Sequence, residues 1–129
     1  MTARILCVED NPQNMRLVRK LLRRNYTVLE AEDGLTGLRI AEEELPDLIL
    51  MDINLPDIDG TEVTRRIKAQ DHLAHIPIIA LTANAMYGDE EKYIAAGCDG
   101  YIAKPVMRAN LYSTIEKFLK QEESNNSQS

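Results

Sequence analysis

The sequence is poor in the residues that would build a redox, nucleic-acid or membrane protein. Only two of its 129 residues are cysteine, Cys7 and Cys98, and they form no CxxC pair and have no clustered histidines nearby. That pattern offers neither a thiol–disulfide motif nor a zinc framework. Cys7 lies in an apolar run and reads as a small core residue, with a reducing compartment as the default. Fifteen basic against 21 acidic residues leave a net charge of −6. No nucleic-acid partner is expected, because such binding needs a basic stripe. No apolar stretch approaches the roughly 18–20 residues of a membrane span. Met1-Thr2-Ala3-Arg4 runs straight into a short strand, so no signal peptide is expected. What remains is the expectation of one soluble, cytoplasmic domain, near the commonest domain size and with ordinary proportions of apolar (44%) and charged (28%) residues.

What the chain does contain is a repeated pairing of a short apolar strand with an amphipathic helix. Leu48 to Met51 are large apolar residues in a row with no polar alternation. Such a run reads as a strand buried on both faces, as in a parallel sheet covered by helices. Arg4 to Glu9, Tyr26 to Ala31, Ile78 to Thr82 and Gly100 to Ala103 are predicted as further strands. Asn11-Pro12 opens a helix that runs through Arg24, since Asn is a favoured cap and Pro is tolerated at the first helical position. Leu17, Val18 and Leu21 keep helical spacing there, with Asn14 on the same face and Met15 and Leu22 toward its edge. A second helix starts at Asp33-Gly34 and closes before Pro46, and a third spans about Thr61 to Ala69. A fourth runs from Gly88 to Ala96, stopped by Gly97, and a last one carries Leu111, Ile115, Phe118 and Leu119. Residues 1–120 form the predicted domain, and the polar stretch 121–129 is expected to be a disordered tail. Strict alternation of strand and helix implies an α/β fold with helices on both faces of a parallel sheet. The most economical arrangement is a flavodoxin-like (βα)5 three-layer sandwich with strand order 2-1-3-4-5.

The ends of the strands carry the chemistry. Glu9-Asp10 follow the first strand, Asp52 the third, Thr82 the fourth and Lys104 the fifth. In that strand order all five side chains can converge on the crevice where such sheets bind ligands. Three carboxylates packed together repel one another, so they either take up protons or hold a cation. Hard oxygen ligands with open positions suit Mg²⁺. Lys104 and Thr82 add a positive charge and a hydroxyl donor, which with an attacking carboxylate is equipment for phosphoryl transfer.

Val8-Glu9-Asp10-Asn11, Asp47 through Pro56, Ala80-Leu81-Thr82-Ala83 and Tyr101-Ile102-Ala103-Lys104-Pro105 together resemble the receiver domain of two-component response regulators. The likeness covers about residues 4–120, with its motifs in order. The resemblance implies that Asp52 accepts a phosphoryl group from a phosphohistidine of a histidine kinase or histidine phosphotransferase. It implies that Asp10, Asp52 and the backbone carbonyl of Asn54 bind Mg²⁺, with Glu9 acting largely through water. Lys104 would pair with a phosphoryl oxygen and Thr82 would move to bond another. Tyr101 would then turn inward, and the Lys104–Pro105 bond would be cis. Asn54 and Asn84 would tune the lifetime of the phosphate. The face formed by helix 4, strand 5 and helix 5 would report the state to a downstream protein, and a homodimer on activation is one form this could take.

Plainer readings stand beside these. Tyr101 taken alone would read as an aromatic packing at a sheet edge. Asp57-Ile58-Asp59-Gly60 looks like a fragment of a calcium loop but lacks the remaining ligands, and reads as a turn. His72 and His75 fall in a polar connector and read as surface residues. Met15 and Leu22 are either rim residues or a docking surface for the phosphodonor, and Met86 and Tyr93 either pack or belong to the output face. Asn14 has no assignment beyond a polar contact near the helix start. Three functions compete: a stand-alone phosphorylation-controlled binding module, a relay intermediate passing phosphate to a second histidine, and the receiver of a hybrid histidine kinase. The starting Met and polar tail favour the first. A haloacid-dehalogenase-type phosphatase would need an Asp where Asn54 stands. A flavodoxin would need a Gly- and hydroxyl-rich loop where Glu9-Asp10-Asn11-Pro12 stand, and acids there would repel a phosphate. No enzyme activity is expected beyond forming and hydrolysing the chain's own acyl phosphate.

Overall fold

The computed structural model describes residues 2–83 and 89–127. The order is β1 (Arg4–Val8), α1 (Pro12–Leu22), β2 (Thr27–Ala31), α2 (Gly34–Glu44), β3 (Leu48–Asp52), α3 (Gly60–Lys68), β4 (Ile78–Thr82), α4 (Asp89–Ala96), β5 (Gly100–Ala103) and α5 (Arg108–Ser127). The strands form one parallel sheet in the order β2-β1-β3-β4-β5, as the alternation predicts. Asn84, Met86 and Gly88 lie outside the described residues.

Each buried strand feeds two cores, which is why its sequence does not alternate. Ile5, Cys7, Leu48, Leu50, Ile79 and Leu81 pack with Met15, Val18 and Leu22 of α1 and with Leu111 and Ile115 of α5. Leu6, Val8, Ile49, Met51, Ile78 and Ala80 pack on the other side with Ala41 of α2, Val63 and Ile67 of α3, and Tyr93 of α4.

Two expectations change. The buried stripe of α1 is Met15, Val18 and Leu22, while Leu17 is 36% exposed. The stripe at positions 15, 18 and 22 faces the sheet, so Leu17, Leu21 and Asn14 occupy its flank and Met15 and Leu22 cannot form a docking surface. The second change is at the end of the chain, where α5 continues through Ser127 and 121–127 extend a helix. The run contains no Pro or Gly to stop a helix, and polarity alone does not end one.

The helix termini are set by short side chains. Asn11 accepts from the backbone N–H of Gln13 at 2.9 Å, with Pro12 at the first helical position of α1. Asp33 accepts from Thr36 N–H at 2.7 Å to cap α2, and Asp59 accepts from Thr61 N–H at 2.8 Å to cap α3. Asp57 provides a second cap from another loop, its two oxygens accepting the N–H groups of Gly34 and Leu35 at 2.8 Å each. Both acids of the Asp57-Ile58-Asp59-Gly60 stretch are thus engaged with helix N-termini. α2 ends on Leu45 in the left-handed region (φ 49°), and α4 ends at Gly97 (φ 109°).

At the amino-terminal end of the sheet Lys68 gathers the surrounding chain. Its Nζ donates to the carbonyls of Ala74 (3.0 Å) and Ile76 (2.8 Å) and to Asp99 Oδ2 (3.0 Å). The same Oδ2 accepts the Ile78 N–H at 2.8 Å. His72 and His75 sit exposed on the connector between α3 and β4.

Candidate functional site

β1, β3, β4 and β5 are neighbours in the sheet, so the residues at their carboxyl ends meet in one crevice. One oxygen each from Glu9, Asp10 and Asp52 lies within 4.8 Å of the others. Lys104 Nζ is 2.9 Å from Glu9 Oε1 and 3.3 Å from Asp52 Oδ1. Thr82 pairs with Ala103, and its carbonyl accepts the Lys104 N–H at 2.8 Å, which fixes the lysine beside β4. Glu9 and Asp52 are buried (1% and 2% exposed), whereas Asp10 is exposed. Glu9, Asp10, Asp52 and Lys104 are therefore together, with the backbone of Thr82 beside them and its hydroxyl at Tyr93. Beside the acids a cleft of about 120 Å³ opens, walled in part by Pro12, Met15, Arg16 and Glu32.

Asp52 is held from below by backbone. Gly60 N–H donates to the Ile53 carbonyl at 2.9 Å, and a Cβ on Gly60 would lie 2.2 Å from the Asp52 carbonyl oxygen. Only glycine allows α3 to start this close to the acceptor strand. Asn54 N–H donates to Asp52 Oδ1 and Asn11 N–H to Glu9 Oε2, both at 3.2 Å.

The charges are interdependent. Burial pushes the Asp52 carboxyl up to about 7, reinforced by the Glu9 carboxyl beside it, against the smaller pull of Lys104 and the Asn54 N–H. For Glu9 burial also pushes up, but the Asp52 carboxyl, Lys104 and the Asn11 N–H outweigh it, and Glu9 is held low. The two carboxyls therefore titrate as a pair, with Asp52 pushed up and Glu9 held low. Burial pulls the Lys104 ammonium down, yet the two carboxylates outweigh it and keep it charged.

The donor set fits Mg²⁺ on one further observation. Glu9 Oε1 is buried, and apart from its ion pair with the Lys104 ammonium at 2.9 Å it has no hydrogen-bond partner among the described residues. Three carboxylates this close, with one ammonium between two of them to offset their charge, are relieved by a hard divalent cation.

Around this centre, Tyr101 stands opposite Ala80 and is 38% exposed, and the Lys104–Pro105 bond is cis. Of the two readings left open for Tyr93, packing is the one the structure shows. Tyr93 is 4% exposed rather than part of an output face, and its Oη is 2.7 Å from Thr82 Oγ1. The signal available in the sequence was its spacing to Ala96, also buried, which gives α4 an inward face.

A parallel sheet that gathers three acids and a lysine at its carboxyl edge defines the class of α/β domains that bind ligands at their strand ends. Comparison with known proteins gives the family. The chain belongs to the response regulator receiver domain family, matched over residues 5–116. It is 46% identical over 120 residues to the polar-differentiation response regulator DivK of Brucella ovis, covering 92% of this chain and 98% of that one. Among solved structures it is similar to the receiver domain of the sensor histidine kinase PA1611 of Pseudomonas aeruginosa PAO1, which has magnesium coordinated in its active-site cleft. That match has a TM-score of 0.87 and 43% identity, over 93% of this chain and 99% of that one. A CheY-like receiver domain protein of Methanospirillum hungatei JF-1 matches with TM-score 0.89 and 30% identity, over 97% and 99% of the two chains. As a receiver the chain is a signalling protein that works with histidine kinases or phosphotransferases and with downstream targets. Among the described residues no helix is long and apolar enough to cross a membrane.

Proposed function

We propose that this chain is a stand-alone cytoplasmic receiver that takes a phosphoryl group from a phosphohistidine onto Asp52 and thereby switches a protein-binding surface. The observation that carries the reading is the buried Asp52 carboxyl, set beside the Lys104 ammonium and the buried Glu9 carboxylate. An Asp52 oxygen attacks the phosphorus, the P–N bond breaks, and the imidazole leaves with the electron pair, leaving an acyl phosphate. Glu9, Asp10 and Asp52, with the backbone carbonyl of Asn54, would hold Mg²⁺, which supplies charge neutralisation for the phosphoryl oxygens. Lys104 neutralises a further oxygen from the β5 side. Thr82 turns to donate to another, and Tyr101 and the segment after Pro105 respond.

The responding surface is built from α4, β5 and α5, where Ile94, Tyr101 and Met107 are exposed apolar groups (60%, 38% and 63%). A downstream protein, or a second copy of the chain on activation, would dock there. The likeness to a sensor-kinase receiver favours one alternative, the same site serving as the receiver of a hybrid histidine kinase. The chain's only chemistry would be formation and hydrolysis of its own acyl phosphate. Intact mass after incubation with Mg²⁺ and acetyl phosphate tests the core of this reading. One base-labile phosphoryl group is expected, dependent on Mg²⁺ and absent from Asp52→Ala. Labelling of the variant would overturn the assignment.

A further inference from the structure

Thr82 is the last residue of β4 and continues the series Ile78, Ala80 that faces α3 and α4. Tyr93, from α4, belongs to the same core. The two hydroxyl oxygens are 2.7 Å apart, and both residues are almost wholly buried, at 2% and 4% exposed. Tyr93 is held on a firm base, since its carbonyl accepts the Cys98 N–H at 3.0 Å where α4 closes on Gly97. The phenol therefore comes from a fixed helix and reaches the one hydroxyl that the switch is expected to move. Asp52 and Lys104, where a phosphoryl group would sit, stand at the ends of β3 and β5 on either side of β4 and not on α4.

We infer that Tyr93 is a positioning residue that holds Thr82 on the α4 side in the unphosphorylated protein, so that phosphorylation of Asp52 must break the Thr82–Tyr93 hydrogen bond before Thr82 can bond the phosphoryl group. This rests on the phosphoryl-acceptor reading above. Tyr93 and Tyr101 then act on opposite states: the first retains Thr82 before phosphorylation, and the second responds after Thr82 has left. A hydrogen bond present in only one state biases the equilibrium against the other. Removing it shifts the population roughly 2- to 10-fold toward the phosphorylated-like form.

The test titrates full-length wild type and Tyr93→Phe with beryllofluoride in saturating Mg²⁺ by calorimetry. Tyr93→Phe keeps the ring and removes one oxygen, and it should bind beryllofluoride about 2- to 10-fold more tightly. In wild-type protein labelled at the tyrosine ring Cζ, the Tyr93 resonance should move when beryllofluoride is added. This readout needs no variant to fold. Equal or weaker binding by Tyr93→Phe, or an unmoved Tyr93 signal in saturated wild type, overturns the role of Tyr93 and leaves the acceptor reading in place. A wild type that neither binds beryllofluoride nor gains a phosphoryl group at Asp52 overturns both. A residue that merely packs would lower thermal stability in both forms without shifting this affinity.

Discussion

Replacing Asp52 by Asn removes one carboxylate from a buried pair that shares a single lysine, while Asn Oδ1 can still accept the Asn54 N–H. The magnitude follows from linkage. The Asp52 carboxyl rises from its ordinary 3.8 to about 7 in the folded chain, a difference equivalent to roughly 4 kcal/mol. Glu9, which is held low, and Lys104, which loses one of two partners, oppose the gain, so about 2 kcal/mol of net stabilisation is expected. For a chain of this length that is roughly 8 °C in Tm. The sign fixes the pH window. A carboxyl whose value is raised by folding contributes stability that is complete below about pH 4 and lost as pH rises through about 7. The Asn variant has no such loss. Its advantage over wild type should therefore be near zero at pH 4 and grow to its full size at pH 8. Urea unfolding in EDTA at pH 4, 5, 6, 7 and 8 measures it, and adding Mg²⁺ at pH 8 should stabilise wild type selectively. A difference that does not change with pH, or a variant less stable than wild type at pH 8, would refute the reasoning.

Two further predictions concern the backbone. Gly60→Ala would bring a Cβ to 2.2 Å from the Asp52 carbonyl oxygen, forcing α3 off the acceptor strand. It should destabilise the fold by about 3 kcal/mol or more and slow acetyl phosphate labelling of the remaining folded protein, as unfolding curves and intact mass would record. Leu45→Gly should act in the opposite direction, because Leu45 is exposed and sits at φ 49° as the C-cap of α2. A gain of about 0.5–1 kcal/mol in urea unfolding is expected, and a loss would show that its side chain contributes more than its backbone strain removes.

The acceptor crevice was legible because its groups stand at strand ends, and a strand end is fixed by where an apolar run stops. Glu9, Asp52, Thr82 and Lys104 could each be located by counting from Val8, Met51, Leu81 and Ala103. Helix faces were harder to read. On α1 two apolar series interleave, and only the contact with Ile5, Cys7, Leu48 and Leu50 decides that positions 15, 18 and 22 turn inward while Leu17 stays out. Tyr93 was obscure for a related reason. Tyrosine is amphipathic, and what settles its place is a hydroxyl 11 positions away that α4 carries it to. Asp57 was unreadable from its own loop, since the two N–H groups it accepts belong to residues 22 and 23 positions earlier. The polar end of α5 misled for the reverse reason, since a polar run without Pro or Gly carries no residue that must stop a helix.

The ammonium of Lys68 gives the carboxyl-terminal half of the chain a common fate. It ties the α3–β4 connector through Ala74 and Ile76, and through Asp99 it reaches the entry to β5 and the Ile78 amide that begins β4. These segments cannot open one at a time while that single charge stays seated, and in amide exchange they would behave as one cooperative unit. That unit lies at the end of the sheet opposite the acids, so local opening there and rearrangement at the crevice are different motions that can be adjusted independently.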